Sequence, residues 1–205
     1  MKSRYIARIA FIALLTISLF SNDVYSFMTL NLILAYIPLE LCYLLNLFKP
    51  KKVFEWPLFI IFSLIFIFMV PNTFYMVTDL IHLNQFRFNF YAGLTIIEWI
   101  YFTYLLAGVA LATYCLTLIY IEINHFTQYR WLNNTIIVVM MFLNGLGVYM
   151  GRFLRFHSVY LINEPLSVLQ DVAQAINPST LAFIVLMMVL QLLIIVFMKG
   201  VRLAK

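Results

Sequence analysis

Asn72, Tyr75, Asp79 and His82 stand three, four and three positions apart inside the run from Val70 to Leu83. At about 100° per residue these spacings put the four side chains within one quarter of a helix surface, with Phe74, Val77 and Ile81 turned the other way. A carboxylate beside an imidazole suits general acid/base work. Further along, Glu98, Asn144, Arg152 and Arg155 add an acid, an amide and two guanidinium groups. Paired arginines suit a phosphate or carboxylate, which guanidinium donors bind bidentately, with Asp79 and Glu98 to orient them. The same residues also make sense as buried ion pairs that fix helix packing. His82 follows Asp79 by three positions, as in half a metal site to which His157 would add a ligand. A histidine capping a helix end accounts for that spacing without a metal, and neither metal nor cofactor is expected.

The elements that must position these groups are membrane helices. Hydrophobic residues make up 65% of the 205-residue chain and charged residues 10%, a balance foreign to a soluble domain of this size. One integral membrane domain over residues 1–205 is expected. Six apolar segments approach or exceed the roughly 20 residues that cross a bilayer: Tyr5 to Phe20, Phe27 to Phe48, Trp56 to Leu83, Leu94 to Tyr120, Trp131 to Arg155 and Ser179 to Met198. The predicted fold is therefore an all-α polytopic bundle. The first segment follows Lys2, Arg4 and Arg8, but no small-residue cleavage site comes after it, and it reads as a retained helix.

Counting cations in the connections sets an orientation. Lys2, Arg4, Arg8, Lys49, Lys51, Lys52, Arg130, Lys199, Arg202 and Lys205 fall on one side, while Arg87, Arg152 and Arg155 fall on the other. The crowded side is expected to be cytoplasmic, with both termini inside and the polar stripe at the outer face. The positive charge thus reads as topology, and no nucleic acid is expected as a partner. Pro57 and Pro178 suit helix starts, the latter after a capping Asn177, whereas Pro38 and Pro71 lie inside helices and should kink them. From Asn163 to Ile176, Leu166, Leu169, Val172, Ala173 and Ile176 share a face opposite Ser167, Gln170, Asp171 and Gln174, which predicts a short interfacial helix on the outer surface. The loop Asn84 to Tyr91, with Phe86, Phe88 and Phe90, reads as an interfacial lid or re-entrant stretch.

On the fifth segment Asn144, Gly147, Gly151, Arg155 and Ser158 share a face, and Gly147-x-x-x-Gly151 lets another backbone approach closely. Gly108 and Ala112 make the fourth segment its candidate neighbour. Because Arg155 lies on this packing face and Arg152 about 60° away, Arg155 is the expected partner of Asp79, and Arg152 is left for headgroups or a ligand. Glu40, mid-helix after Pro38, must be protonated or paired across a helix interface, and a proton-relay role follows from the first option. Cys42 and Cys115 lack metal or redox spacing and read as small core residues.

The stretch Pro71-Asn72-x-x-Tyr75-x-x-Thr78-Asp79-x-x-His82-Leu83, with Gly151-Arg152-Phe153-Leu154-Arg155 far downstream, resembles the bacterial membrane family of domain of unknown function 1361. The resemblance covers most of the chain. The family pattern continues as Trp-Asn-Ser-Trp-Asp, where this chain has Phe156-His157-Ser158-Val159-Tyr160 and shares only the serine. The resemblance implies a bacterial cytoplasmic membrane protein and brings no activity with it. Three functions stay open: an outward-facing polar pocket for an anionic small molecule or lipid headgroup, in a transport component or envelope-associated binding protein; a structural or accessory subunit of a membrane complex; and an intramembrane enzyme on a lipid-linked substrate. The expected partners are the bilayer, an anionic ligand or lipid, and another membrane protein.

The cation bias yields a direct expectation. In a background without Cys42 and Cys115, Asn84→Cys or Ser158→Cys should react with an impermeant thiol reagent applied to intact cells, and Lys51→Cys should not. The reverse pattern would invert the topology.

Overall fold

The computed structural model describes residues 2–20, 27–86, 88, 91, 93–155 and 165–203. Among them there is no strand, and the chain runs through α1 (Lys2–Phe20), α2 (Phe27–Leu47), α3 (Trp56–Tyr75), α4 (Ile96–Asn124), α5 (Arg130–Arg152), α6 (Pro165–Ala175) and α7 (Pro178–Leu203). Short 3₁₀ segments precede and follow α3, at Val53–Glu55 and Met76–Gln85. Six helices, α3 counted with its 3₁₀ flanks and α6 excluded, are long and apolar enough to cross a membrane. This is the architecture of a multi-pass membrane protein.

The bundle is arranged around α4. That helix is apolar on every side, as a helix in the middle of a bundle must be. It touches α1, α2, α3, α5, α7 and the second 3₁₀ segment, and it buries Leu105, Val109, Ala112, Cys115, Leu116 and Ile119. Cys42 and Cys115 are buried free thiols, as their spacing suggested. Ile9, Ile12, Leu58, Ile61, Val185 and Leu192 point outward, where a bilayer supplies the contacts that a soluble core would.

The two internal prolines organise the contacts on either side of α3. Proline removes a backbone donor and frees carbonyls one turn back, which in hydrocarbon need a new partner. In α2 the turn before Pro38 is served from α3, where the buried Thr73 hydroxyl donates to the Ala35 carbonyl at 2.9 Å. Next to Pro71, Asn72 donates to the Met69 carbonyl of its own helix at 3.1 Å. The Pro71 ring fills the hollow at Gly147 so closely that a Cβ there would lie 2.5 Å from Pro71 Cβ. One turn on, a Cβ at Gly151 would lie 3.0 Å from the Tyr75 ring. The small-residue face of α5 therefore receives the Pro71/Tyr75 ridge of α3. The expected neighbour, Gly108 of α4, is taken instead by the side-chain tips of Met28 and Met76.

Two departures from the expected helix limits change what faces what. The third span is α-helical only to Tyr75 and then tightens into ten residues of 3₁₀ helix, an unusual length for that geometry. At about 120° per residue, Met76, Asp79 and His82 now stack on one line, and Thr78 stacks on Tyr75. The fifth helix ends at Arg152, three residues short of the expected limit. The chain turns away through Phe153 to Arg155, whose φ of +56° no α-helix contains. Arg155 is exposed, so the helical projection that placed it beside Asp79 does not reach it.

The interfacial segment is helical from Pro165 to Ala175, with Gln170, Asp171 and Gln174 exposed. It is tied at its end, where the Thr180 hydroxyl donates to the Ala175 carbonyl at 2.7 Å and Asn177 Oδ1 caps the Thr180 N–H at 3.0 Å. The side chains of Leu166 and Leu169, and residues 156–164 with His157 and Ser158, lie outside the described residues. In the loop after the 3₁₀ segment, Phe86 stacks on Tyr101 at 5.4 Å, and Phe88 meets Trp99 edge-on at 6.0 Å, so this stretch folds onto the start of α4.

Because a proline ring cannot rotate out of the way, Gly147→Ala should destabilise the protein by about 1 to 3 kcal/mol, the usual range for overpacking. Gly200→Ala, with nothing within 4 Å of its Cβ, should leave thermal unfolding in detergent unchanged. Equal melting temperatures for the two variants would contradict the α3–α5 close approach.

Candidate functional site

The polar site is assembled where α2, the second 3₁₀ segment and the end of α5 meet. Asp79 is its centre, with a side chain only 1% exposed, a position no carboxylate tolerates in an apolar bundle without partners. It has two. Arg152 Nη2 donates to Asp79 Oδ1 at 2.6 Å, and Asn31 Nδ2 on α2 donates to Oδ2 at 2.7 Å. Each carboxylate oxygen thus accepts from a different helix.

Arg152 is held as firmly as the acid it pairs with. Its Nη2 and Nε both donate to the Thr78 hydroxyl, at 2.7 and 3.2 Å, and that hydroxyl donates in turn to the Tyr75 carbonyl at 2.7 Å. The guanidinium lies over the Tyr75 ring, 4.3 Å from its centroid. This contact follows from the glycine packing, since Gly151 seats the Tyr75 ring and Arg152 is the next residue. A cation over an aromatic face contributes about 0.5 to 2 kcal/mol, depending on desolvation. The side chain remains 18% exposed, so the pair is sealed on the Asp79 side and open on the other.

His82 completes the line below Asp79. Its Nδ1–H donates to the Asp79 carbonyl at 3.0 Å, and its ring packs on Phe27 with centroids 4.3 Å apart. The imidazole therefore serves the backbone of the 3₁₀ segment, as a helix-end histidine does. Among the described residues no three His, Cys, Asp or Glu side chains gather as a metal site would require.

Of the residues the sequence singled out, the structure joins Tyr75, Asp79, His82 and Arg152. The partner of Asp79 is Arg152 and not Arg155, because α5 stops at Arg152. Arg155 lies exposed beyond it and makes no hydrogen bond or ion pair among the described residues. Glu98 is half-buried in the first turn of α4, where a helix N-terminus favours an acid, and no ion pair joins it to the cluster. Asn72 is engaged with its own helix. Asn144 lies eight residues before Arg152, about 12 Å along α5, and belongs to a separate buried knot. There Asn144 Nδ2 donates to Gln191 Oε1 at 2.8 Å and to the Tyr120 hydroxyl at 3.1 Å, while Gln191 Nε2 donates to the carbonyls of Met141 and Met187. Gly147 and Gly151 have the packing role expected of them.

Asn31, Thr78, Tyr120 and Gln191 were missed. Thr78 stood inside the quoted stretch without a role, and for Asn31, Tyr120 and Gln191 the only signal was that a polar residue in a membrane helix needs a partner on another helix. Glu40 resolves in favour of pairing. It accepts from Arg4 at 2.6 Å, from Arg8 at 2.8 and 2.9 Å, and from the Tyr36 hydroxyl at 2.5 Å, which ties α1 to α2 and leaves no lone carboxyl to relay protons.

A family model described as "Protein of unknown function (DUF1361)" matches residues 30–194, and the chain belongs to that family. That span contains every member of the Asp79 cluster. Neither the curated proteins nor the solved structures yield a match to this chain.

Removing one partner of a buried pair strands the other, at a cost of about 3 to 5 kcal/mol. Asp79→Asn and Arg152→Gln should each lower thermal stability in detergent by this order, and the double variant should lose less than the sum. Arg155→Gln should melt like the wild type. Additive losses, or a loss at Arg155 matching that at Arg152, would contradict the pairing.

Proposed function

We propose that this protein is a multi-pass component of the bacterial cytoplasmic membrane that binds an anionic group, a phosphate or carboxylate, at the corner formed by Arg152 and Arg155. It serves as a binding or transport component of the envelope. The observation that carries this reading is the division of labour between the two arginines. Arg152 is pre-set by Asp79, Thr78 and Tyr75, which consume three of its contacts and hold its plane, yet one edge stays accessible. Arg155 stands three residues further on, exposed and unpaired among the described residues, at a positive φ that a non-glycine residue adopts only under constraint. A fixed guanidinium beside a free one suits an oxyanion, which takes parallel N–H donors from planar groups. Arg152 offsets the charge of Asp79, so Arg155 leaves the three side chains with a net positive charge. The cation distribution supports placing this corner at the outer face.

The test uses the intact protein in phosphatidylcholine nanodiscs. Inorganic phosphate added to the buffer probes a soluble ligand, and replacing part of the phosphatidylcholine with phosphatidylglycerol probes a lipid headgroup. One of the two should raise the melting temperature of the wild type by several degrees more than that of Arg155→Gln. If neither raises it, or both proteins respond alike, the corner is structural and the binding reading fails.

A further inference from the structure

A cleft opens at the opposite end of the bundle from Arg152, between α4, α5 and α7. The cleft has a volume of about 320 Å³ and is graded along its length. Its mouth is lined by Asn124 and His125 at the end of α4, Asn134 near the start of α5, and Lys199 near the end of α7. Deeper in, its walls are Ile137, Val138, Met141, Leu192 and Ile195. From Asn134 to Met141 and from Lys199 to Leu192 is seven residues each, so the apolar part runs about 10 Å into the bundle from the polar rim. α4 and α7 close over it only beyond that depth, where the Tyr120 hydroxyl donates to Gln191 Oε1 at 2.5 Å.

We propose that this cleft holds one anionic phospholipid, with an acyl chain between Val138 and Leu192 and its phosphate on Lys199, His125 and Asn134. Three observations select this occupant. The chain-length wall is apolar and open to the side, and Val138 and Leu192 are about half exposed, which in hydrocarbon is the surface an acyl chain covers. The rim carries an ammonium group, an imidazole and two amides but no carboxylate among the described residues. Glu122, in the last turns of α4, is engaged elsewhere, with Asn46 at 3.3 Å. The rim groups are also unspent. Lys199 and the Asn134 amide have no side-chain partner among the described residues, and His125 donates Nδ1–H to the Ile121 carbonyl at 2.8 Å, leaving Nε2, which in the imidazolium form donates to a phosphate oxygen. A soluble anion would need none of the apolar wall, and a neutral lipid none of the cationic rim.

Native mass spectrometry of the detergent-solubilised full chain, titrated with phosphatidylglycerol or phosphatidylcholine, tests the assignment. Wild type should retain phosphatidylglycerol in preference to phosphatidylcholine. Lys199→Gln should lower that retention severalfold, and Leu192→Trp, which fills the slot from its lipid-facing side, should do the same. Both positions are exposed, and melting temperatures equal to wild type in phosphatidylcholine nanodiscs would show that both variants fold. If Leu192→Trp misfolds, Lys199→Gln decides alone. In an Arg155→Gln background Lys199→Gln should lower the retention by the same factor, which separates the site from the Arg152 corner. Equal retention of the two lipids by wild type, or undiminished phosphatidylglycerol retention in Lys199→Gln, would overturn the proposal.

Discussion

A carboxylate buried among apolar helices is tolerated only if its surroundings are built for it, and Asp79 imposes that requirement on three parts of this bundle. α2 must bring Asn31 to one oxygen, and α5 must end so that Arg152 reaches the other. The segment carrying Asp79 must turn its side chain inward, and the tightening from α-helix to 3₁₀ helix after Tyr75 does so. Leaving Arg152 out costs about 3 to 5 kcal/mol, a large fraction of the roughly 5 to 15 kcal/mol by which folded proteins are stable.

The close approach of α3 and α5 is the geometric counterpart of this electrostatic demand. Without side chains at Gly147 and Gly151, the Pro71 and Tyr75 rings sink into α5 and set the height at which Arg152 emerges. A proline that breaks a hydrogen-bond ladder thus also supplies the rigid knob of a helix contact. Its companion, Pro38, is compensated by Thr73 of the neighbouring helix. Bundle packing and the polar cluster are therefore one construction, in which the Gly-Arg pair at residues 151 and 152 serves both.

Much of this was legible in the residues. Apolar run length located six spans because hydrocarbon thickness leaves few alternatives, and the helical projection picked out Asp79 and His82, which share a face under either helical geometry, together with Tyr75, which shares it only under the α-helical period. The α-to-3₁₀ transition was not legible, because the spacing of three from Asp79 to His82 fits both periods and so short a stretch does not tell them apart. Arg155 misled for a related reason: Phe153 and Leu154 continue an apolar pattern through a point where the backbone has already left the helix. Asn144 was drawn into the wrong cluster because a projection reports angle and not depth, and its partners Tyr120 and Gln191 lie on two other helices. Arg4 and Arg8 read as topology signals, but both also hold Glu40. A charge count cannot show that second role, which depends on how α1 lies against α2.

The central claim is that Asp79 and Arg152 are in direct contact, and it is most directly tested in a bilayer by solid-state NMR. With labelled aspartate carboxyl carbons and arginine guanidinium nitrogens, an Asp79–arginine dipolar contact should be present in the wild type, persist unchanged in Arg155→Gln and vanish in Arg152→Gln. A contact that survives in Arg152→Gln and disappears in Arg155→Gln would contradict the account.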